Sequence, residues 1–285
     1  MSRLKIAVQK SGRLNENSLK LLKDCGISVS NGQDQLKVSV CNFPMEIFYL
    51  RNSDIPQYLE DGVVDLAIVG ENLLIEKQRN VEVVEQLGFS KCRVSMAVPK
   101  EVEDNNLSYF EGKRIATSYP NTVNAFLKEN KISAEVHVIS GSVEIAPNIG
   151  LADGVCDIVS SGSTLFKNGL RETQVILKSE AVLAKSMSLT PEKEVLLDQL
   201  LFRIRTVIKA KNTKYILMNV PNEKINEISQ ILPVLKSPTI LPLAQEGWSS
   251  LHSVIDQEQF WDVIDELKSA GAEGILIVPI EKIVM

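Results

Sequence analysis

Through the first two-thirds of the chain, short apolar runs rich in β-branched residues alternate with stretches whose apolar positions recur every three or four residues. The first pattern predicts strands and the second predicts helices. Residues 4–8 (LKIAV) read as a strand, followed by a helix over Asn15–Lys23 that ends near Gly26. Strands are expected at 36–41 and 46–50, then a helix from Asp54 to Glu60. Asp54 is its expected N-cap, and Pro56 is tolerated in a first helical turn. DLAIVG (65–70) has the continuous apolar character of a fully buried strand, and CRVSMAV (92–98) reads as a crossing segment. The pattern then restarts: strand 113–118, helix Asn121–Glu129, strand 136–140, helix Ser142–Ala152 and strand 157–161. Such alternation predicts α/β layers with mostly parallel sheets.

Two blocks of this kind imply two lobes with a cleft between them. The segment 181–189 (AVLAKSMSL) reads as a strand returning to the first lobe, and the helix 191–210 closes this part. The expected boundaries are lobe I over 1–92 and 181–211, and lobe II over 93–180. From Lys211 the rhythm changes. A strand (214–220), a helix (222–232), a hairpin (239–244 and 248–255), a helix (257–270) and a last strand (274–280) give the βαββαβ order of a ferredoxin-like domain over 212–285.

Composition and charge narrow the function. The formal net charge is −5, from 31 basic and 36 acidic residues, which argues against general nucleic-acid binding. It leaves room for small anionic substrates held by a few placed cations. The chain enters its first strand without an apolar leader-like stretch, and no apolar run approaches the ~20 residues of a membrane span. A cytoplasmic protein is expected, with no membrane partner. Cys25, Cys41, Cys92 and Cys156 are scattered, and neither His137 nor His252 has a second ligand at metal spacing, so a His/Cys metal site is not expected.

The stretch Glu144–Leu165 (EIAPNIGLADGVCDIVSSGSTL) carries the most chemistry. Asp157 is expected to open a strand that runs into Ser160, Ser161, Gly162, Ser163 and Thr164. A hydroxyl-rich turn with a glycine collects backbone N–H groups in one place, which suits a phosphate monoester, the more so if a helix begins there. An acidic residue before it can accept from ribose hydroxyls or hold Mg²⁺ through water. By itself the cluster also fits an ordinary strand-to-helix turn; Glu144 and Asp157 beside it favour use. Gln9-Lys10-Ser11-Gly12-Arg13 follows the first strand and reads either as a solvated turn or as a cradle for a phosphate chain. Arg51 lies just past a strand end. Gly70 and Glu71 end a buried strand, where open α/β sheets place ligands, although Glu71 fits equally as a helix N-terminal charge. Thr117, Ser118 and Tyr119 hold the matching place in the second lobe.

The 144–165 stretch resembles the ATP phosphoribosyltransferase family pattern at Glu144, Gly150, Ala152, Val155, Asp157, Ser161, Gly162, Thr164 and Leu165. QKSGRL (9–14), DGVVDLAIVGENLL (61–74), GKRIATSYP (112–120) and SPTILPL (237–243) match the same family in order along the chain. The C-terminal domain makes the chain similar to the family's long form. The resemblance implies a two-lobed part over 1–211, similar to periplasmic-binding-protein-like folds, with the active site. It implies that N1 of the adenine of ATP attacks C1 of phosphoribosyl pyrophosphate (PRPP), with Mg²⁺ as cofactor and no strong general base. It also implies PRPP contacts from Asp157 and Ser160–Thr164, catalytic and indirect metal roles for Glu144 and Asp157, and ATP contacts from Lys10, Ser11, Gly12, Arg13, Arg51, Gly70, Glu71 and Thr117. Histidine would be held as a feedback inhibitor at Ser237 and Thr239. Some relatives have an Asp near Asn219 to meet its amino group, and here that charge is missing. A homo-oligomer between dimer and hexamer is implied too. The competing reading is a two-lobed small-molecule-binding protein without catalysis.

Overall fold

A computed structural model describes residues 2–29, 35–104, 106–232 and 237–284. The chain divides into two compact units, Met1–Lys20 with Ile27–Leu197, and Leu21–Gly26 with Asp198–Met285. In the first unit β1 (Leu4–Gln9) leads into α1 (Arg13–Asp24), which the division cuts after Lys20. Then come β2 (Lys37–Ser39), β3 (Met45–Leu50), α2 (Ile55–Glu60), β4 (Leu66–Gly70), α3 (Glu71–Lys77) and β5 (Val81–Gln86). A second sheet is built from β6 (Cys92–Pro99), β7 (Arg114–Thr117), β8 (Glu135–Val138), β9 (Gly154–Val159) and β10 (Leu170–Ser179). Its helices are α4 (Pro120–Glu129) and α5 (Ser163–Lys167). β11 (Ala181–Ser186) returns to the first sheet before α6 (Pro191–Asn212).

The first lobe has strand order β2-β3-β1-β4-β11-β5, and the second β10-β6-β9-β7-β8. The sheets are mixed rather than mostly parallel. β3, β1 and β4 run parallel, as do β8, β7 and β9, but β11 pairs antiparallel with both β4 and β5, and β6 with both β9 and β10. The strands that carry the chain between lobes run against the strands they join. Around the first sheet Ala7, Ile55, Leu59, Ala67, Val69 and Val182 form one core. The second sheet is covered on both faces, by Val143, Ala146 and Leu165 on one cluster and by Phe110, Val123 and Leu127 on another.

The second unit contains β12 (Thr213–Pro221), α7 (Ile225–Ile231), β13 (Thr239–Pro242), β14 (Trp248–Asp256), α8 (Phe260–Ser269) and β15 (Glu273–Pro279). Its antiparallel sheet has the order β13-β14-β12-β15, the ferredoxin-like arrangement expected from the βαββαβ rhythm. Period-two alternation sends Ile216, Met218, Val220, Leu251 and Ile255 into a core shared with Ile228 and Leu267 of the two helices.

Two expectations fail for identifiable reasons, and a third holds only in part. The helix over 142–152 is only a 3₁₀ turn, Val143–Ile145, followed by turns. Pro147 has no N–H to continue it, and Gly150 adopts a left-handed φ of 73°. Asp157 does not open its strand but lies within β9, three residues after Gly154. Asp54 stands at the N-cap of α2 as expected but makes no side-chain cap bond; its carboxylate accepts from Ser53 Oγ instead (2.8 Å). Two strands, β5 and β10, and the short helices α3 and α5 are additions to the predicted set.

Gly154 marks a tight point of the second lobe. A Cβ there would lie 2.7 Å from Phe110 Cε1 and 3.0 Å from the Ala97 carbonyl oxygen, with Phe110 itself fully buried. Gly154→Ala should therefore destabilise this lobe by about 1–3 kcal/mol, the usual penalty of overpacking. Calorimetric melting checks this, and a wild-type transition in the variant would contradict it.

Candidate active site

β9 lies between β6 and β7 in the middle of the second sheet, so Asp157 is placed among strands rather than on a free surface. Burial pushes its carboxyl above the ordinary aspartate range; the Ile158 N–H and the Ser118 hydroxyl pull the other way, and the charge of Glu144 adds to the upward shift. Ser118 Oγ donates to Asp157 Oδ1 at 3.3 Å. Past Val159 the chain turns through Ser160 and Ser161 to Gly162, whose φ of 78° places it in the left-handed region as the N-cap of α5. Space is not what requires glycine here. The nearest atoms to a Cβ would be Val159 Cγ1 at 3.9 Å and Arg93 Nη2 at 4.0 Å, so the backbone conformation decides. Ser161 and Ser163 hydroxyls lie 3.0 Å apart across the turn.

These residues line one cavity of about 370 Å³, made by Arg13, Glu144, Asp157–Thr164 and Leu165. The geometry thus brings together Glu144, Asp157, the whole Ser160–Thr164 turn, and one cation from the first lobe, Arg13. Two carboxylates that repel each other, a guanidinium and a turn of N–H and hydroxyl donors suit a ligand carrying both anionic oxygens and a hydrated divalent cation. Among the described residues no group of three His, Cys, Asp or Glu forms a direct metal cage. Glu144 and Asp157 are the carboxylates of this cavity that would meet a cation.

A second cavity of about 400 Å³ lies against the strand ends that cross between lobes, lined by Glu71, Lys91, Arg93, Ser160, Lys178 and Glu180 among others. Ser160 borders both cavities. Of the residues the family resemblance gives to ATP, Arg13 lines the first cavity and Glu71 the second. Glu71 also accepts from Gln86 Nε2 at 3.3 Å. Lys10, Ser11 and Gly12 form the exposed turn between β1 and α1, Gly12 with a φ of 88°. Arg51 is exposed past the end of β3. Gly70 leaves room for Asn72 Oδ1, which would lie 2.5 Å from a Cβ. Thr117 is fully buried, and its Oγ1 accepts the Tyr119 N–H at 2.9 Å.

Arg93, on β6, was not singled out by the sequence. It makes a two-pronged pair with Glu172 (Nε–Oε1 2.5 Å, Nη2–Oε2 2.6 Å), and its Nη1 donates to the Ser160 carbonyl at 3.1 Å. Hydrogen bonding from Arg93 holds the Glu172 carboxyl below the ordinary range. The pair braces the start of the turn from behind. Its partners are 79 residues apart in sequence, so no local motif reveals it.

In the second unit, Thr239 pairs with His252, and Asn219 pairs with Ser250. Opposite residues of antiparallel strands share a face, so these four side chains lie on one side of the sheet. Tyr215 OH meets His252 Nδ1 at 2.7 Å and Ser250 Oγ meets its Nε2 at 2.9 Å. Ser237 is exposed just before β13.

The family model for ATP phosphoribosyltransferase matches residues 51–206, and the model for the HisG C-terminal domain matches 210–282. An ATP phosphoribosyltransferase of Cytophaga hutchinsonii is 56% identical over 281 residues, covering 99% of this chain and 98% of that relative. A solved chain of the ATP phosphoribosyl transferase (HisG:HisZ) complex from Thermotoga maritima superposes with a TM-score of 0.61 at 27% identity, covering 72% of this chain and 98% of that one. A periplasmic sulfonate-binding protein from Methylobacillus flagellatus KT reaches a TM-score of 0.50 at 13% identity, covering 72% of this chain and 67% of that one, which shows a common fold alone. With one family model spanning more than half of the chain, a second over its C-terminal part, and a relative that matches it almost end to end, the chain belongs to the long form of the ATP phosphoribosyltransferase family.

Proposed function

We propose that this chain transfers the phosphoribosyl group of PRPP to N1 of the adenine of ATP and releases pyrophosphate. Membership of a transferase family supports the reaction, and one observation carries its location: Glu144, Asp157, Arg13 and the Ser160–Thr164 turn line a single cavity. On this reading the turn holds the 5′-phosphate with backbone N–H groups and hydroxyls, aided by the start of α5. Asp157 and Glu144 accept from ribose hydroxyls and from waters around a cation. Arg13, with Lys10, Ser11 and Gly12 of the same turn, takes phosphate oxygens from the first-lobe side, and Arg51, Gly70 and Glu71 complete the nucleotide side, whereas the burial of Thr117 removes it from the expected ATP contacts. A bound Mg²⁺ would offset negative charge on the departing pyrophosphate.

The chemistry asks little of acid–base groups. N1 gives its lone pair to C1 of the ribose, the bond from C1 to the pyrophosphate oxygen breaks, and that electron pair leaves with pyrophosphate. The site's work is to align N1 behind C1 and to stabilise charge that moves toward the leaving group. The second unit serves control on this reading: histidine binds on the sheet face bearing Thr239 and Asn219, with Ser237 at its edge, in an oligomer of two to six chains.

The direct test is pyrophosphate release by the full chain, expected only when ATP, PRPP and a divalent cation are all present; binding without release would favour a two-lobed binding protein. Within an active enzyme, Gly162→Val should raise KM for PRPP well above its effect on KM for ATP, because a β-branched residue resists a positive φ. Equal effects on the two substrates would remove the phosphate from this turn.

Asp157 adds a pH dependence. Its ionised form is the one that accepts hydrogen bonds, and burial raises its pKa, so kcat/KM for PRPP should fall on acidification before an ordinary aspartate would titrate. Asp157→Asn should lower turnover strongly and abolish that limb; retention of the limb in the variant would assign it to another group. Thr239→Ala should weaken histidine inhibition while leaving uninhibited kcat unchanged, and an identical inhibition curve would place the inhibitor elsewhere.

A further inference from the structure

α4 begins under unusual conditions. Its N-cap residue is Tyr119, which provides no side-chain cap, and Pro120 follows without an N–H of its own. The first-turn donors of Asn121 and Thr122 therefore need an acceptor from elsewhere. It comes from the other lobe: Glu76, on α3, is 4% exposed, and its Oε1 accepts the Asn121 N–H at 3.0 Å. Its Oε2 accepts the Thr122 N–H at 2.9 Å and the Thr122 hydroxyl at 2.8 Å. Asn121 Nδ2 returns a bond to the Glu76 carbonyl at 2.9 Å. A buried carboxylate is costly unless fully hydrogen-bonded, and these donors at the positive end of a helix meet that need.

One turn earlier on α3, Asn72 is 5% exposed and acts beside it. Its Nδ2 donates to Tyr119 OH at 2.8 Å, its N–H donates to Ser179 Oγ at 2.9 Å, and Ser179 Oγ donates back to Asn72 Oδ1 at 3.0 Å. Burial pushes the Tyr119 hydroxyl up to about 12, so it stays a neutral hydrogen-bonding group. The segment held in this way is the one that reaches the cavity. Tyr119 N–H donates to Thr117 Oγ1, and Ser118 between them donates to Asp157.

We propose that Glu76 is a positioning residue that sets the alignment of the two lobes, and with it the place of Ser118 and Asp157 relative to Arg13. It touches neither cavity and forms no bond with the site; it acts through α4 and the residues before it. Its expected signature is loss of turnover with binding largely kept. PRPP is held mostly by the Ser160–Thr164 turn of one lobe, whereas reaction needs groups from both lobes in register. The kinetic part rests on the function proposed above; the hydrogen-bonding part does not.

The test uses the full chain and compares wild type with Glu76→Gln and Thr122→Val. Gln keeps the size of the side chain but turns one acceptor into a donor facing an N–H, and Val removes only the Thr122 hydroxyl. Hydrogen exchange without substrate, read on residues 118–127, should quicken in both variants. In Glu76→Gln, kcat should fall at least about tenfold with KM for PRPP within about threefold of wild type. Thr122→Val should show the same split with a loss of about threefold, since one of the bonds is gone. Faster exchange with wild-type kcat in a folded Glu76→Gln reduces the residue to a helix cap and overturns the proposal. Unchanged exchange in the variants overturns it as well. If Glu76→Gln does not fold, Thr122→Val decides, and wild-type kcat there is the overturning result. A wild-type chain inactive on ATP and PRPP would refute the proposed reaction, while the exchange data would still decide whether the lobe contact exists.

Discussion

A carboxylate in the central strand of a sheet is the constraint around which the second lobe is arranged. Asp157 is pushed toward its neutral form by burial and by Glu144, and only the Ile158 N–H and the Ser118 hydroxyl oppose that push. A group kept at such cost serves best when a ligand completes its hydrogen bonding. The neighbouring turn asks for the opposite charge. Its left-handed Gly162 and clustered N–H and hydroxyl groups suit an anion. A sugar phosphate accompanied by a hydrated divalent cation satisfies both demands at once, and the geometry makes sense as a site for that pair.

The surrounding fold follows from holding this arrangement beside a second set of groups. In open α/β sheets ligands gather at the carboxyl ends of the parallel strands. Here β1 ends at the Lys10–Arg13 turn, β4 at Gly70 and Glu71, β7 at Thr117 and Ser118, and β9 at Ser160. One lobe thereby supplies cations and the other the Ser160–Thr164 turn and the carboxylates. The chain crosses between lobes on β6 and again from β10 into β11, where the Leu87 N–H bonds the Ala181 carbonyl (3.0 Å) and the Ala181 N–H bonds the Phe89 carbonyl (2.9 Å). These crossing strands also carry Arg93 and Glu172, which tie the backbone of the turn to the lobe junction.

Legibility in the sequence tracked how local each feature is. β1, β4 and β9 could be read because they are buried runs, and the 160–164 turn because its residues are contiguous. The edge strands β5 (VEVVEQ) and β10 (LRETQVILKS) escaped notice because their charged and polar positions blur the apolar signal, as edges commonly do. The segment after Ser142 carried helical spacing, yet Pro147 and Gly150 overrode it. The contacts that join distant parts were not readable at all. Glu76 with Thr122 and Arg93 with Glu172 are separated by 46 and 79 residues, and Glu76, Arg93 and Glu172 look like surface charges when read alone. In the second unit the βαββαβ rhythm was enough to give the sheet order, but the His252 hydrogen bonds with Tyr215 and Ser250 appear only once strands are paired.

An enzyme whose cavity around Asp157 and Gly162 joins adenine to ribose, rather than merely holding a ligand, leaves its mark in the product. The most direct measurement is the structure of the nucleotide product after the full chain has acted on ATP and PRPP with a divalent cation, determined by NMR. The expected product carries one phosphoribosyl group bonded through C1 to adenine N1, with configuration inverted at C1 and one pyrophosphate formed per product. Recovery of unmodified ATP after complete consumption of PRPP, or a ribosyl group on a phosphate oxygen or another ring nitrogen, would contradict it.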